Sequence, residues 1–305
     1  MHPFYTGRAA PSMSLKTGAA AARTFYADFA GRRIARGRTV WYNGKKERKK
    51  QCTLNEIIER AFLVDSRDTD LHGLCRPSAL LGFLQEMATA HSEVLGISRR
   101  VMLERHNSIW LLARLWYRLD RPVLRDQTLT VRTWTRGATG AVSYRDFDLL
   151  VGDERVGEAV TSWVLADVDS RSIQIMSKMP EVVGAAVPAC VKDKKLSRFP
   201  MPKDLSELMR RPVYYSDTDI NGHMNNTRYA DVACDAVRFD RMAGLYLAEV
   251  MVNYSRECLP GDTLCILGKQ EGETWFVRGA DGAGAAHFDT ALRFAPIPAD
   301  GGFSC

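Results

Sequence analysis

From about residue 52 onward, apolar and polar positions follow two periods in turn, and the order in which the periods change is given twice along the chain. Ile57 to Val64 predicts a strand, Ser66 to Gly73 is polar, and Pro77 stands where a first helical residue would. Leu80, Phe83, Leu84, Met87, His91, Val94 and Leu95 then recur at helical spacing until Gly96 stops them. A lone His91 on such a face is expected to be a core residue rather than a catalyst. Period-two runs over Ser108 to Leu119, Gln127 to Arg136, Ala141 to Val151 and Arg155 to Asp167 predict four strands, parted by Arg-Pro, Gly-Ala-Thr-Gly and Gly-Asp-Glu turns.

A Pro-rich and Lys-rich stretch reads as a linker, after which the order returns. A strand over 211–216, a polar loop, a helix from about Asn226 to Met242 on Tyr229, Ala233, Ala236 and Val237, and strands near 246–256, 262–271, 274–280 and 285–294 follow one another. The repeat is visible in residues: Asp68-Thr69-Asp70-Leu71-His72-Gly73 lies over Asp217-Thr218-Asp219-Ile220-Asn221-Gly222. One long helix followed by a strand meander predicts an antiparallel sheet wrapped around that helix, since parallel packing would need a helix after each strand. The expected division is a basic, disordered leader over 1–50, a first unit over 51–185, a linker over 186–210, a second unit over 211–296 and a tail over 297–305.

The second copy of the polar loop carries the candidate chemistry. Asp217, Asp219, Asn221 and His223 fall at every second residue, before Asn225 or Asn226 offers a helix N-cap. Asp, Asn and Gly are ordinary turn formers, but a turn does not need the His, whose unperturbed pKa suits proton transfer near neutrality. The first copy has Leu74 and Arg76 where the second has His223 and Asn225. That difference places the reacting groups in the second copy and leaves the first to shape a binding cavity.

Charge narrows the partners. The net charge of +6 is concentrated in residues 1–50, which hold 12 Lys/Arg against 2 Asp/Glu and leave 30 against 34 for the rest, so no nucleic-acid-binding face is expected. An Arg-rich, acid-poor leader also has the composition of an organelle transit peptide. No window approaches the roughly eighteen consecutive apolar residues of a membrane span. The seven Cys form no C-x-x-C pair and suggest a reducing, cytosol-like compartment, and no His/Cys/Asp spacing suggests a metal site.

Asp219-x-Asn221-x-His223-x-Asn225-Asn226, followed by Tyr254-Ser255-Arg256-Glu257-Cys258, resembles the acyl-ACP thioesterases, which release fatty acids from acyl carrier protein. Trp110 to Arg114, Asp120-Arg121-Pro122, Thr133-Trp134, Arg145-Asp146 and Ser177 to Val182 extend the resemblance over about 55–294. Tyr215, Asn253 and Ser255 depart from the plant pattern of Trp, Glu and Arg. The resemblance implies an α+β tandem hotdog: two long helices, each wrapped by an antiparallel sheet, with the sheets joined edge to edge. It assigns Asp219, Asn221, His223, Glu257 and Cys258 to the active site, with Asn225 in support. It places the acyl chain between helix and sheet, for which Leu80, Phe83, Leu84 and Met87 are the candidates.

Hydrolysis of a fatty acyl thioester on acyl carrier protein, with no cofactor, is the implied reaction. The implied partner is a carrier protein bearing a phosphopantetheine-linked chain, met by a monomer or homodimer in the cytoplasm, or in a plastid if the leader is a transit peptide. Arg99, Arg100, Arg210 and Arg211 are candidates for docking an acidic carrier. Acyl-CoA hydrolysis on the same fold and non-catalytic acyl-thioester binding are the alternatives. Glu257 is expected to matter more than Cys258, because an anion beside the thiol opposes formation of a thiolate.

Overall fold

The computed structural model describes residues 57–183 and 195–298. The leader, part of the linker and most of the tail lie outside them. Strands β1 (Ile58–Leu63), β2 (Ser108–Leu119), β3 (Thr128–Thr139), β4 (Val142–Val151) and β5 (Glu154–Asp167) form the first half of one sheet. The second half holds β6 (Ser206–Pro212), β7 (Leu245–Tyr254), β8 (Thr263–Glu271), β9 (Thr274–Ala280) and β10 (Ala286–Pro296). The order β1-β3-β4-β5-β2-β7-β10-β9-β8-β6 is the same five-strand pattern, reversed across the β2–β7 seam. Two antiparallel sheets are thus joined edge to edge, as expected.

The seam is held by side chains as well as by the ladder. Arg114 to Arg118 pair antiparallel with Asn253 to Glu249. Trp116 Nε1 donates to the Glu249 carboxylate, which also accepts from Arg293 Nη2 at 2.6 Å. An edge that would otherwise invite pairing with another chain is closed within this one.

Helix α1 (Pro77–Val94) and helix α4 (Arg228–Val237) cover the sheet, with two short helices, α2 (Arg99–His106) and α3 (Pro180–Val183), between them in the chain. Along α1, Leu80, Leu81, Leu84, Met87, Ala88 and His91 are buried. Val94, expected on this face, is 54% exposed, and Leu95 at the C-cap is buried in its place. On α4, Ala230, Ala233 and Ala236 are buried beside Tyr229, Val232 and Val237, and their small side chains let the helix approach the strands closely.

Three expected boundaries change. The second helix ends at Val237 rather than Met242, because Arg238 takes a positive φ of 78° and a 3₁₀ turn, Phe239–Arg241, follows. The apolar period fails at that point, so no burial holds the chain helical. Strand β6 begins at Ser206, inside the expected linker, and stops at Pro212, after which Tyr215–Asp217 is a 3₁₀ turn rather than strand. The N-cap of α4 is Thr227; Asn225 serves instead by accepting the Thr227 amide on its Oδ1 at 2.9 Å. Helix α2 was not expected from the pattern.

Candidate active site

The two polar loops share three backbone bonds. In the first, Asp70 N donates to Leu74 O at 2.9 Å, Gly73 N to Asp70 O at 3.1 Å and Arg76 N to Asp68 O at 2.8 Å. In the second, Asp219 N donates to His223 O at 3.1 Å, Gly222 N to Asp219 O at 3.0 Å and Asn225 N to Asp217 O at 2.8 Å. Asp70 and Asp219 each accept the amide two residues on at 2.8 Å, and Gly73 and Gly222 carry the positive φ that the turn requires. The Asp219 carboxylate is therefore engaged in shaping the loop, as is that of Asp70, which accepts the Leu74 amide at 3.0 Å in addition.

Asp217 anchors the second loop from within. It is fully buried, its two oxygens accept from Arg211 at 2.8 Å each, and one also accepts the Tyr214 amide at 2.8 Å. Burial alone would raise its pKa; the Arg211 bonds and the Tyr214 amide outweigh it and hold the carboxyl below its usual value. Arg211 is thus committed to the loop rather than to a docking surface. Of the other basic candidates, Arg210 pairs with Glu207 and Arg100 with Glu104.

The loop is tied to the segment after β7. Met224 N donates to Cys258 O at 2.8 Å, so His223 and Glu257 each immediately precede a bonded pair. His223 Nδ1 lies 3.0 Å from Met224 O; a carbonyl can only accept, so Nδ1 is the donor here, and in the neutral ring it is Nε2 that keeps a lone pair. Asn221 and Glu257 are exposed, and His223 and Asn225 are half-buried. Cys258 is buried, and burial pushes its thiol up to about 11, with a Tyr229 hydrogen bond lowering it only in part.

His287, on β10, was not singled out in the sequence. Its Nδ1 donates to Glu257 O at 2.8 Å, and the Cys258 sulfur lies 3.4 Å from the same nitrogen. A nitrogen that already bears this hydrogen cannot take the thiol proton, so His287 does not activate Cys258. His287 O also accepts from Ser255 N and Arg256 N, at 2.8 and 3.0 Å.

Equivalent bonds identify the counterparts in the first copy. Cys75 N donates to Val123 O at 2.8 Å, and Asp120 N to Val156 O at 2.8 Å. Leu74, Val123 and Val156, all buried, thus occupy the places of His223, Cys258 and His287, and Pro122 that of Glu257. The same backbone frame holds polar groups in one copy and solid apolar packing in the other.

A narrow apolar cleft, partly open to solvent, lies against this frame. Leu81, Leu84, Gln85 and Ala88 of α1 face Leu112, Leu115, Phe147, Thr161 and Trp163 of the first half-sheet, and Asn226, Thr227 and Tyr254 of the second copy complete it. Of the four chain-binding candidates only Leu84 lines the cleft. Leu80 and Met87 are buried in the core, and Phe83 stacks on Phe62 with centroids 4.7 Å apart. Helix α1 is apolar over two neighbouring stripes, and the one facing the void runs through Leu81, Leu84 and Ala88. Among the described residues no cluster of His, Cys, Asp and Glu could hold a metal ion, and no helix is long and apolar enough to cross a membrane.

Family models for the acyl-ACP thioesterase N-terminal domain and C-terminal domain match residues 55–183 and 202–286. A dodecanoyl-acyl-carrier-protein hydrolase of Cinnamomum camphora is 26% identical over 220 residues, 66% of this chain and 56% of that protein. An oleoyl-acyl carrier protein thioesterase of Coriandrum sativum is 23% identical over 67% of this chain and 60% of its own length. The chain therefore spans less than two thirds of these chloroplastic relatives. An acyl-ACP thioesterase of Bacteroides thetaiotaomicron shares the fold at a TM-score of 0.72 and 21% identity, over 78% of this chain and 98% of that one. A 12:0-ACP thioesterase of Umbellularia californica does so at 0.66 and 19%, over 79% and 97%.

Proposed function

The chain belongs to the acyl-ACP thioesterase family, and from that premise we propose that it hydrolyses the thioester between a fatty acyl chain and acyl carrier protein. The observation that carries the reading is the asymmetry of the duplicated frame. Leu74, Pro122 and Val156 stand in one copy where His223, Glu257 and His287 stand in the copy whose helix start, Asn226 and Thr227, adjoins the apolar cleft. An acyl chain lying along Leu81, Leu84 and Ala88 brings its thioester to that copy.

Glu257 is exposed and can take a proton from a water, while Asn221 and the Nε2 lone pair of His223 hold that water or the substrate. The water oxygen attacks the acyl carbon, and the oxyanion gathers at the start of α4, where the helix dipole favours negative charge. Collapse breaks the carbon–sulfur bond, the pantetheine thiolate takes a proton from the site, and a free acid leaves. Asp219 and Asn225 hold the loop, and Cys258 packs beneath it. No step requires a cofactor.

The experiment is a ladder of acyl-ACPs against the matching acyl-CoAs, with kcat/KM and the released acids measured for each. Higher kcat/KM on the carrier protein supports the reading. Preference for CoA would make the chain an acyl-CoA thioesterase, and binding without turnover would make it a sensor. For location we propose the cytoplasm, with which the free Cys75, Cys234, Cys258 and Cys265 agree as they would with any reducing compartment. The plastid alternative rests on residues 1–50, and the N-terminal sequence of the protein isolated from its own cells decides between them.

A further inference from the structure

The two helix starts are not treated alike. At the start of α1, Ser78 N donates to Oδ1 of Asp231 at 3.0 Å, so a carboxylate from the second copy sits on the first helix of the other. Asp231 is steadied there by Arg228 Nη1, at 2.9 Å from its other oxygen. At the spacing that lays Asp68 over Asp217, Ser78 lies over Thr227 and Gly82 over Asp231. The group that would cap α4 in the same way is therefore a glycine with no side chain.

Thr227 N does not need that group, because Asn225 Oδ1 accepts it from the same loop at 2.9 Å. Arg76, the counterpart of Asn225, has no acceptor to offer, so in the first copy the cap comes from across the interface. A Cβ built on Gly82 would meet nothing within 4 Å. Its neighbours Leu81 and Gln85 line the cleft opposite Asn226 and Thr227. Open space in the working copy thus corresponds to a carboxylate in the other.

We propose that Gly82 is a specificity-determining position that keeps the mouth of the cleft open for the thioester, and that Asp231 closes the equivalent mouth in the first copy. A carboxylate offers the same acceptor oxygens as the tetrahedral adduct of a thioester, so Asp231 occupies the degenerate mouth as an internal substitute for substrate. One chain then takes one acyl chain. The proposal rests on the hydrolase reading above and adds the residue that admits the substrate.

The test compares Gly82→Ala, Gly82→Asp and Gly82→Leu in the full-length protein. Gly82→Ala adds a methyl to open space and should raise Tm, since Gly is a poor residue inside a helix, while lowering kcat/KM least of the three. Gly82→Asp should lower kcat/KM on acyl-ACP by about a hundredfold through displacement of the substrate, with Tm held or raised by a carboxylate near the start of α4. If that variant does not fold, Gly82→Leu fills the same space without charge and should show the same loss. Calorimetric titration with a non-hydrolysable acyl-ACP thioether gives a reading independent of chemistry: Kd should weaken by about tenfold or more in the two filling variants. Unchanged kcat/KM and Kd in folded Gly82→Asp or Gly82→Leu overturns the proposal, as does an equal loss in Gly82→Ala. Thioether binding to the wild type that these substitutions weaken, without turnover of any thioester, would remove the hydrolase reading and leave the mouth in place; no thioether binding to the wild type overturns both.

Discussion

Replacing Cys258 by Ala should leave most of the activity, whereas replacing Glu257 by Gln should remove most of it. The sulfur is fully buried, beside a His287 nitrogen whose hydrogen is already given to Glu257 O. With its thiol pushed up to about 11, only about one molecule in ten thousand holds a thiolate at pH 7. Such a group is a poor nucleophile, and its loss removes packing: about 1–2 kcal/mol of stability for the vacated sulfur. Glu257 is exposed to water, and losing general-base assistance costs about a hundred- to ten-thousandfold in kcat, equivalent to about 3–5 kcal/mol of barrier. Steady-state kinetics on one acyl-ACP, with thermal melts for each variant, measures both. A fall of a hundredfold or more in folded Cys258→Ala, with Glu257→Gln near wild type, would refute the reasoning.

Enlarging the cleft wall by Leu84→Trp should shift the released acids to shorter chains while Leu80→Val, in the core, costs stability without moving the profile; gas chromatography of the products reads both. Asp217→Ala should cost up to about 3–5 kcal/mol, less if Arg211 reaches water, because it strands the guanidinium. As the Asp217 carboxyl is held below its ordinary value when folded, its contribution is present above the unfolded pKa and is lost as pH falls through the folded one, so the wild type should lose more stability in acid than Asp217→Asn. Chemical denaturation at stepped pH checks this.

The fold was legible because the repeat leaves its mark in six contiguous residues and because the strand runs keep a clean period of two. The candidate loop was legible for the same reason, since its turn needs Asp and Gly at fixed places while the His223 side chain serves no turn. His287 was not, for a physical reason: copy one carries α2 and longer strands, so the spacing between counterparts shrinks from Leu74 and His223 to Val123 and Cys258, and again to Val156 and His287. Only equivalent hydrogen bonds reveal that match. Periodicity likewise showed that α1 is buried but could not choose between the stripe through Leu80 and Met87 and the one through Leu81 and Ala88, because both are apolar and only the position of the void separates them. Among the basic docking candidates, Arg211 reads as surface charge until its buried partner Asp217 is seen.

The central claim is that an activated water, at the second copy of the loop, attacks the acyl carbon of a carrier-bound chain. Single-turnover reaction with acyl-ACP in ¹⁸O-labelled water, quenched in acid and followed by mass spectrometry of both the released acid and the intact protein, tests it most directly. The account predicts a free acid carrying one ¹⁸O and a protein whose mass gains neither an acyl group nor a label. An acyl group trapped on the protein, an unlabelled acid with ¹⁸O in the Glu257 carboxyl, or no acid released at all would contradict it.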